Sequence, residues 1–326
     1  VNHFKQFQEK IEKAIQQKKY GSHPKELYEP ITYIMALGGK RLRPVLVLAA
    51  CDLFDVSIDN AIHPALAVEL FHNFTLIHDD LMDHAPLRRN QQTVHTKWNN
   101  NIAVLSGDAM MVCAYQELCK CDKESLATQL EIFNQTALKV CEGQQLDMNF
   151  ESYPKIGVAQ YINMIELKTA VLLGAALKMG AIAANTSEEN AELMYQFGKN
   201  IGIAFQLQDD ILDVYAEKEK FGKQIGGDII ANKKTYLLLK AIEMAESNRY
   251  LKEELDQWLN APTFNPQEKV EAVTTIFNFL NVKALAENEM KKHFAIALTH
   301  ISDVKANDAK KKALIQFAEN LMNRDV

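Results

Sequence analysis

The stretch FHNFTLIHDDLMD, residues 71–83, ends in three aspartates at i, i+1 and i+4: Asp79, Asp80 and Asp83. On a helix advancing ~100° per residue, Asp79 and Asp83 lie roughly 40° apart, with Asp80 ~60° beyond Asp83. All three carboxylates then share one face. The residues before them are apolar enough to be buried, and Pro86 stops the helix at or before Ala85. The last turn is a poor place for anions: the helix dipole disfavours each by ~0.3–1 kcal/mol, and aspartate is a weak helix former. Selection for stability alone avoids such an arrangement, so a cation is expected to compensate it.

The same spacing returns in FQLQDDILD, where Asp209, Asp210 and Asp213 again follow an apolar helical run. One such set is most simply a solvated acidic face. Two sets on apolar helices favour a different reading. Oxygen-only ligands suit hard divalent cations, and Mg²⁺ is typically held by a few carboxylates together with substrate phosphates. Two carboxylate clusters holding Mg²⁺ against a polyphosphate are therefore expected.

Working outward, the 326 residues hold 48% hydrophobic and 24% charged side chains, ordinary values for a globular chain with ample core. Glycine (13) and proline (8) are too scarce for a turn-rich all-β fold. A net charge of −6 argues against general nucleic-acid binding. The cysteines at 51, 113, 119, 121 and 141 are odd in number and lack metal-ligand spacing, which points to reduced, structural thiols and a cytoplasmic setting. No signal-peptide core and no transmembrane segment are read.

Residues 2–20 read as a surface helix with Phe4, Phe7, Ile11 and Ile15 near helical spacing, and Glu26–Met35 as a second helix. Gly38-Gly39-Lys40-Arg41-Leu42-Arg43-Pro44 puts three basic residues on a turn before the apolar helix Val45–Leu53. It is either a solvated basic turn or an anion site whose glycines let backbone come close. Asn60–Ala85 carries the first cluster, and Arg88 and Arg89 follow on a loop, placed to neutralise it or to grip phosphates. Thr93–Asn101 reads as irregular. Helices follow over Ala103–Lys120, Glu124–Phe150, Val158–Ala184 and Glu188–Asp213, with Lys168 and Thr169 inside the third, and Phe205 and Gln206 one turn before the second cluster. A glycine- and charge-rich loop spans 218–234. Beyond Tyr236 the helices are of ordinary amphipathic character, with Pro262 and Pro266 in a connector, and carry no visible chemistry. The fold read from this is all-α, a single domain over residues 1–326.

In their order along the chain, GGKRLRP, DDLMD followed by two arginines, Gly107-Asp108, GQQLD (143–147), Lys168-Thr169, FQLQDDILD, Gly222-Lys223, GGD (226–228) and KKT (233–235) resemble the trans-isoprenyl diphosphate synthases, or polyprenyl synthetases. The resemblance runs from about Gly38 to Thr235. It implies the isoprenoid synthase fold, a large antiparallel helix bundle around a deep central cavity, as a homodimer. It implies an allylic diphosphate that loses pyrophosphate, the carbocation then alkylating the double bond of isopentenyl diphosphate, with pyrophosphate accepting the final proton. By similarity, Asp79, Asp83 and Asp209 ligate Mg²⁺, about three ions per active site, while Asp80, Asp210 and Asp213 do so directly or through water. Arg88, Lys168, Thr169, Gln206, Lys223 and Lys233 match positions holding the allylic diphosphate or the departing pyrophosphate, with Phe205 beside them. Lys40, Arg43, His72 and Arg89 match the isopentenyl diphosphate site. Asn90 stands where many relatives have glycine, and Gln92 where proline is common.

Phe74, Thr75 and Val68, upstream of the first cluster, fall where the family sets product length. With no insertion in DDLMD they resemble short-chain synthases making geranylgeranyl or farnesyl diphosphate. Thr75 falls ~40° from Asp79 but Phe74 ~140° away, so Thr75 and Val68 face the growing chain most directly. A longer-chain synthase, a non-catalytic subunit of a heteromeric synthase, a terpene cyclase and a purely structural helical protein are the alternatives. The complete second DDILD speaks against the cyclase and the non-catalytic subunit.

Overall fold

The computed structural model describes residues 2–216 and 226–322, and within them the fold is all-α, apart from one short hairpin. The chain divides into two compact units. One comprises residues 1–135, 175–195 and 304–314; the other comprises 136–174, 196–303 and 315–326.

In the first unit, helix Asn2–Gln17 buries Phe7, Ile11 and Ile15. It is therefore a half-buried element rather than a surface one, because its apolar stripe is continuous. Helix Leu42–Leu53 starts three residues before the expected position. Pro44 falls in its first turn, where a missing N–H breaks no intrahelical bond. Helix Ile62–Met82 is apolar around most of its circumference and buries Ala65 to Phe71 without interruption. Helix Asn100–Leu118 is capped by Asn99, whose side chain accepts from the Ile102 N–H at 2.9 Å. Between these two helices the expected loop is a hairpin, Leu87–Arg88 paired antiparallel with Gln91–Gln92, followed by the short helix Val94–Lys97. Strands of two residues are too short to show alternation in sequence.

In the second unit, one apolar cluster runs from Phe150 through Tyr161, Ile203, Leu207 and Ile211 to Leu237, Phe277 and Ala286. The expected continuous helix 158–184 is interrupted: Val158–Ile165 passes through a π-helical turn, Glu166–Ala170, before Val171–Ala183. A π turn widens the helix by one residue and re-aims its side chains. Helix Glu188–Tyr215 carries the second aspartate set. The described part of the loop forms a further short helix, Gly227–Ile230. Pro266, expected in a connector, is instead the first residue of helix Pro266–Phe279, capped by Asn265. No helix among the described residues is long and apolar enough to cross a membrane.

Candidate active site

In the first unit the helix ends at Met82, with Asp83 as its C-cap. Asp79 lies partly exposed and Asp83 at the surface, but Asp80 is turned inward and is 2% exposed. The shared face of the helical wheel therefore holds for two of the three carboxylates. Asp80, ~100° round from Asp79, meets Arg88: Nε donates to Oδ1 and Oδ2 at 2.9 and 2.7 Å, and Nη2 to Oδ1 at 2.6 Å. Burial raises the Asp80 pKa, and the Arg88 guanidinium offsets part of that rise. Arg88 also lies 3.8 Å from Asp79.

Arg89 and Asn90 form the hairpin tip, both at positive φ (52° and 59°). This is the geometry of a two-residue type I′ turn, and asparagine tolerates it nearly as well as glycine. The Arg89 guanidinium donates to the Gly38 carbonyl and lies across Gly39. Gly39 sits at φ +128°, and a Cβ there would be 2.8 Å from Arg89 Cζ. Gly39 thus makes room for an arginine side chain.

The three basic residues of the turn separate. Arg41, at φ 46° and 3% exposed, points inward: Nε donates to Glu12 at 2.8 Å and Nη1 to Glu69 at 2.7 Å, with the Met35 carbonyl on Nη2. Glu69 in turn accepts from Asn73 at 3.0 Å. Lys40 is exposed, and Arg43, half-buried, lies 3.1 Å from His72 Nε2. Burial pulls the His72 pKa well below its ordinary value, and Arg43, Arg89, Arg88 and Arg41 push it further down. A neutral imidazole accepts from Arg43 through Nε2. Burial, opposed by Glu69, brings Arg43 itself to about 10. Arg43, Arg88 and Arg89 thus gather positive charge around one neutral histidine.

In the second unit, Asp209 and Asp213 are half-buried and Asp210 is 3% exposed. Asp210 accepts from the Tyr161 hydroxyl and, at 3.3 Å, from Gln206 Nε2. Thr169 Oγ1 donates to Gln206 Oε1 at 3.5 Å, so the expected site residues Thr169, Gln206 and Asp210 form one line. Burial raises Asp210 to about 7, against the lowering effect of Tyr161. Lys168, on the π turn, pairs with Asp147 at 2.6 Å. Gly143, on the neighbouring helix, lets backbone come close here, since a Cβ would collide with the Lys168 amide. Asp213 Oδ2 accepts from the Asp228 N–H at 3.0 Å, and Lys233 lies 3.7 Å from Asp228. Phe205 is half-buried on the same helix as Gln206. Lys223 lies outside the described residues.

Three residues complete this picture that spacing did not nominate. Asp147 and Asp228 close the motifs GQQLD and GGD, which is where a sequence signal lay. Tyr161 carries none. Among the described residues no three His, Cys, Asp or Glu side chains come close enough to hold a metal ion by themselves.

Phe74 stacks with Phe71 (ring centroids 5.6 Å apart) and His78 (4.8 Å), and His78 Nε2 lies 3.2 Å from the Val104 carbonyl. Phe74 thus lies on the stripe facing helix Asn100–Leu118. Val68 is fully buried, and Thr75, half-buried, donates to the His72 carbonyl.

The family model for polyprenyl synthetases matches residues 24–277. The geranylgeranyl diphosphate synthase of Sulfolobus acidocaldarius is 33% identical over 328 residues, covering 99% of this chain and 98% of that protein. That of Methanosarcina mazei is 38% identical over 245 residues, 74% of this chain and 76% of the relative. A crystal structure of a geranylgeranyl pyrophosphate synthase superposes with a TM-score of 0.94 at 41% identity, covering 99% of each chain.

Proposed function

Because the chain belongs to the polyprenyl synthetase family and is an isoprenyl diphosphate synthase, we propose that it condenses isopentenyl diphosphate with an allylic diphosphate to give geranylgeranyl diphosphate. The observation that carries this reading is the repeated form of the two aspartate sets. In each, the middle carboxylate is buried and hydrogen-bonded by a neighbouring side chain, while the i and i+4 carboxylates keep partial or full exposure. Each set is a two-pronged oxygen donor, the kind that holds Mg²⁺ jointly with phosphate oxygens.

Asp79, Asp83 and Asp209 hold Mg²⁺ directly in this reading, and Asp213 completes the second set. Asp80 and Asp210 stand behind them, acting through water. Bound Mg²⁺ would supply positive charge to the departing diphosphate. Arg88, Lys168, Thr169, Gln206 and Lys233, with Lys223, grip that diphosphate, and Phe205 borders it. The allylic C–O bond breaks with its electron pair going to pyrophosphate. The cation bonds to the double bond of isopentenyl diphosphate, and a proton leaves to pyrophosphate. Fixed cationic donors stabilise the leaving charge without reorganising. Lys40, Arg43, Arg89 and neutral His72 orient isopentenyl diphosphate, supported by the crowding of positive charge around His72.

The chain acts as a single polyprenyl synthetase domain over residues 1–326. We place the chain in the cytoplasm, in keeping with its free cysteines. We also place a homodimer contact on helix Asn100–Leu118, whose Val104, Leu105 and Val112 are exposed.

Incubation with Mg²⁺, labelled isopentenyl diphosphate and, in turn, dimethylallyl, geranyl or farnesyl diphosphate tests the reading. A twenty-carbon product from all three starters is expected. A fifteen-carbon end point makes it a farnesyl diphosphate synthase, longer products a long-chain enzyme, and no product a non-catalytic subunit.

A further inference from the structure

The segment from Gly226 to Thr235 carries Asp228 and Lys233 and is fastened at both ends. At one end the Gly226 N–H donates to the Asp213 carbonyl at 2.7 Å, and the Asp228 N–H to the Asp213 carboxylate at 3.0 Å. At the other end stands Asn232, in the left-handed region at φ 54°. Its side chain is held on both sides: Nδ2 donates to the Leu259 carbonyl at 3.0 Å, and Oδ1 accepts from Lys269 Nζ at 2.6 Å.

Lys269 lies on helix Pro266–Phe279 and is 0% exposed. Its ammonium also reaches the Ile230 carbonyl at 3.5 Å and sits 4.1 Å from the centre of the Phe264 ring. Among the described residues no carboxylate pairs with it. Burial pulls its pKa below the ordinary lysine value. The next residue, Val270, packs against Gly226, so one helix touches both ends of the short helix Gly227–Ile230.

An enclosed ammonium without a counter-ion costs stability, and a hydrophobic residue of similar length is often neutral or better in its place. Stability therefore does not account for Lys269. What methionine could not supply is the pair of hydrogen bonds to Asn232 and Ile230. We propose that Lys269 is a positioning residue that fixes the backbone from Ile230 to Asn232 and thereby the place of the Lys233 ammonium for diphosphate binding. This rests on the assignment of Lys233 to the allylic or departing diphosphate made above. The coupling is short: Lys233 follows Asn232 by one peptide, its N–H donates to the Asp228 carbonyl at 2.9 Å, and its carbonyl accepts from Thr235 at 2.8 Å.

The test uses the full chain with Lys269→Met, Asn232→Ala, their combination and Lys233→Ala. Lys269→Met is expected to melt at the wild-type temperature or above. Amide exchange over residues 228–235 is expected to quicken, and the allylic diphosphate KM to rise about tenfold with the isopentenyl KM within about twofold, the size of effect that a small misplacement of a binding group produces. Because both changes remove the Lys269–Asn232 bond, while Asn232→Ala also loses the Leu259 bond, the KM rise in the double variant is expected to fall short of the product of the two single effects. If Lys269→Met does not fold, Asn232→Ala severs the same link and gives the same readouts. A lower melting temperature with unchanged exchange and unchanged KM values overturns the proposal, as does an equal rise in both KM values. A raised KM in Lys233→Ala beside an unchanged one in Lys269→Met overturns this proposal alone. An unchanged KM in Lys233→Ala overturns the reading of Lys233 on which it rests.

Discussion

Arg88 holds the buried carboxylate of Asp80 through three hydrogen bonds of 2.6 to 2.9 Å, while the next residue, Arg89, turns to the Gly38 carbonyl. The left-handed backbone at the hairpin tip sends two consecutive guanidinium groups to different places, one to the aspartate helix and one to the basic turn. Arg88→Ala leaves Asp80 buried without its cation. Removing one partner of a buried pair costs ~3–5 kcal/mol; Arg88 is a quarter exposed, so about 2 kcal/mol is expected here. Asp80→Asn in the same chain should return part of that loss. Urea denaturation measures both, and an Arg88→Ala chain as stable as the wild type contradicts the pairing.

Gly39→Ala should act on one substrate only. Its Cβ would press on the Arg89 guanidinium at 2.8 Å, and φ +128° is strained for alanine. The isopentenyl diphosphate KM is expected to rise about tenfold with the allylic KM little changed. Steady-state kinetics with each substrate varied in turn decide it, and equal effects on both would remove Arg89 from the isopentenyl site.

Product length should respond to Phe74 and Thr75 in opposite directions. Phe74→Ala opens space beside Phe71 and His78 and is expected to give products longer than twenty carbons, at a cost of ~2–3 kcal/mol for a half-buried aromatic. Thr75→Phe adds bulk nearer the Asp79 face and should shorten the product to fifteen. Chromatographic sizing reads both. An unchanged profile in Phe74→Ala removes that ring as a determinant.

Acid stability depends on Glu117, 1% exposed, which accepts from Lys18, Lys120 and His63. Burial alone would raise its pKa, but these partners bring it down to about 2. A depressed carboxylate contributes stability above its unfolded pKa, about 4.5, and loses it as pH falls toward 2. Glu117→Gln should cost ~3 kcal/mol at neutral pH and flatten the stability curve between those values. Denaturation at stepped pH measures it, and a parallel curve for the variant contradicts the pairing.

The helices and both aspartate sets were legible because periodicity, Pro86 and the i, i+1, i+4 spacing act locally. What local pattern could not tell was which way a side chain turns. Arg41 and Lys40 are adjacent and alike in sequence, yet one is buried between Glu12 and Glu69 and the other faces solvent. The difference comes from the left-handed backbone at Arg41 and from acids 29 residues before it and 28 after it. Asp80 and Asp210 look like their neighbours in the motif, and only tertiary contacts bury them. The hairpin tip was hidden because Arg-Asn is not the Asn-Gly pair such turns favour. Lys269 was invisible for the opposite reason: it sits in an amphipathic helix where lysines are ordinarily solvated.

Calorimetric titration of pyrophosphate in Mg²⁺ into the wild type, Asp79→Asn, Asp209→Asn and the double variant tests most directly whether both aspartate sets serve one site. One pyrophosphate per chain is expected, with each single change weakening binding at least about tenfold and the double falling well short of the product of the two losses. Wild-type affinity in either single variant, or two independent pyrophosphates each lost with its own aspartate, contradicts the account.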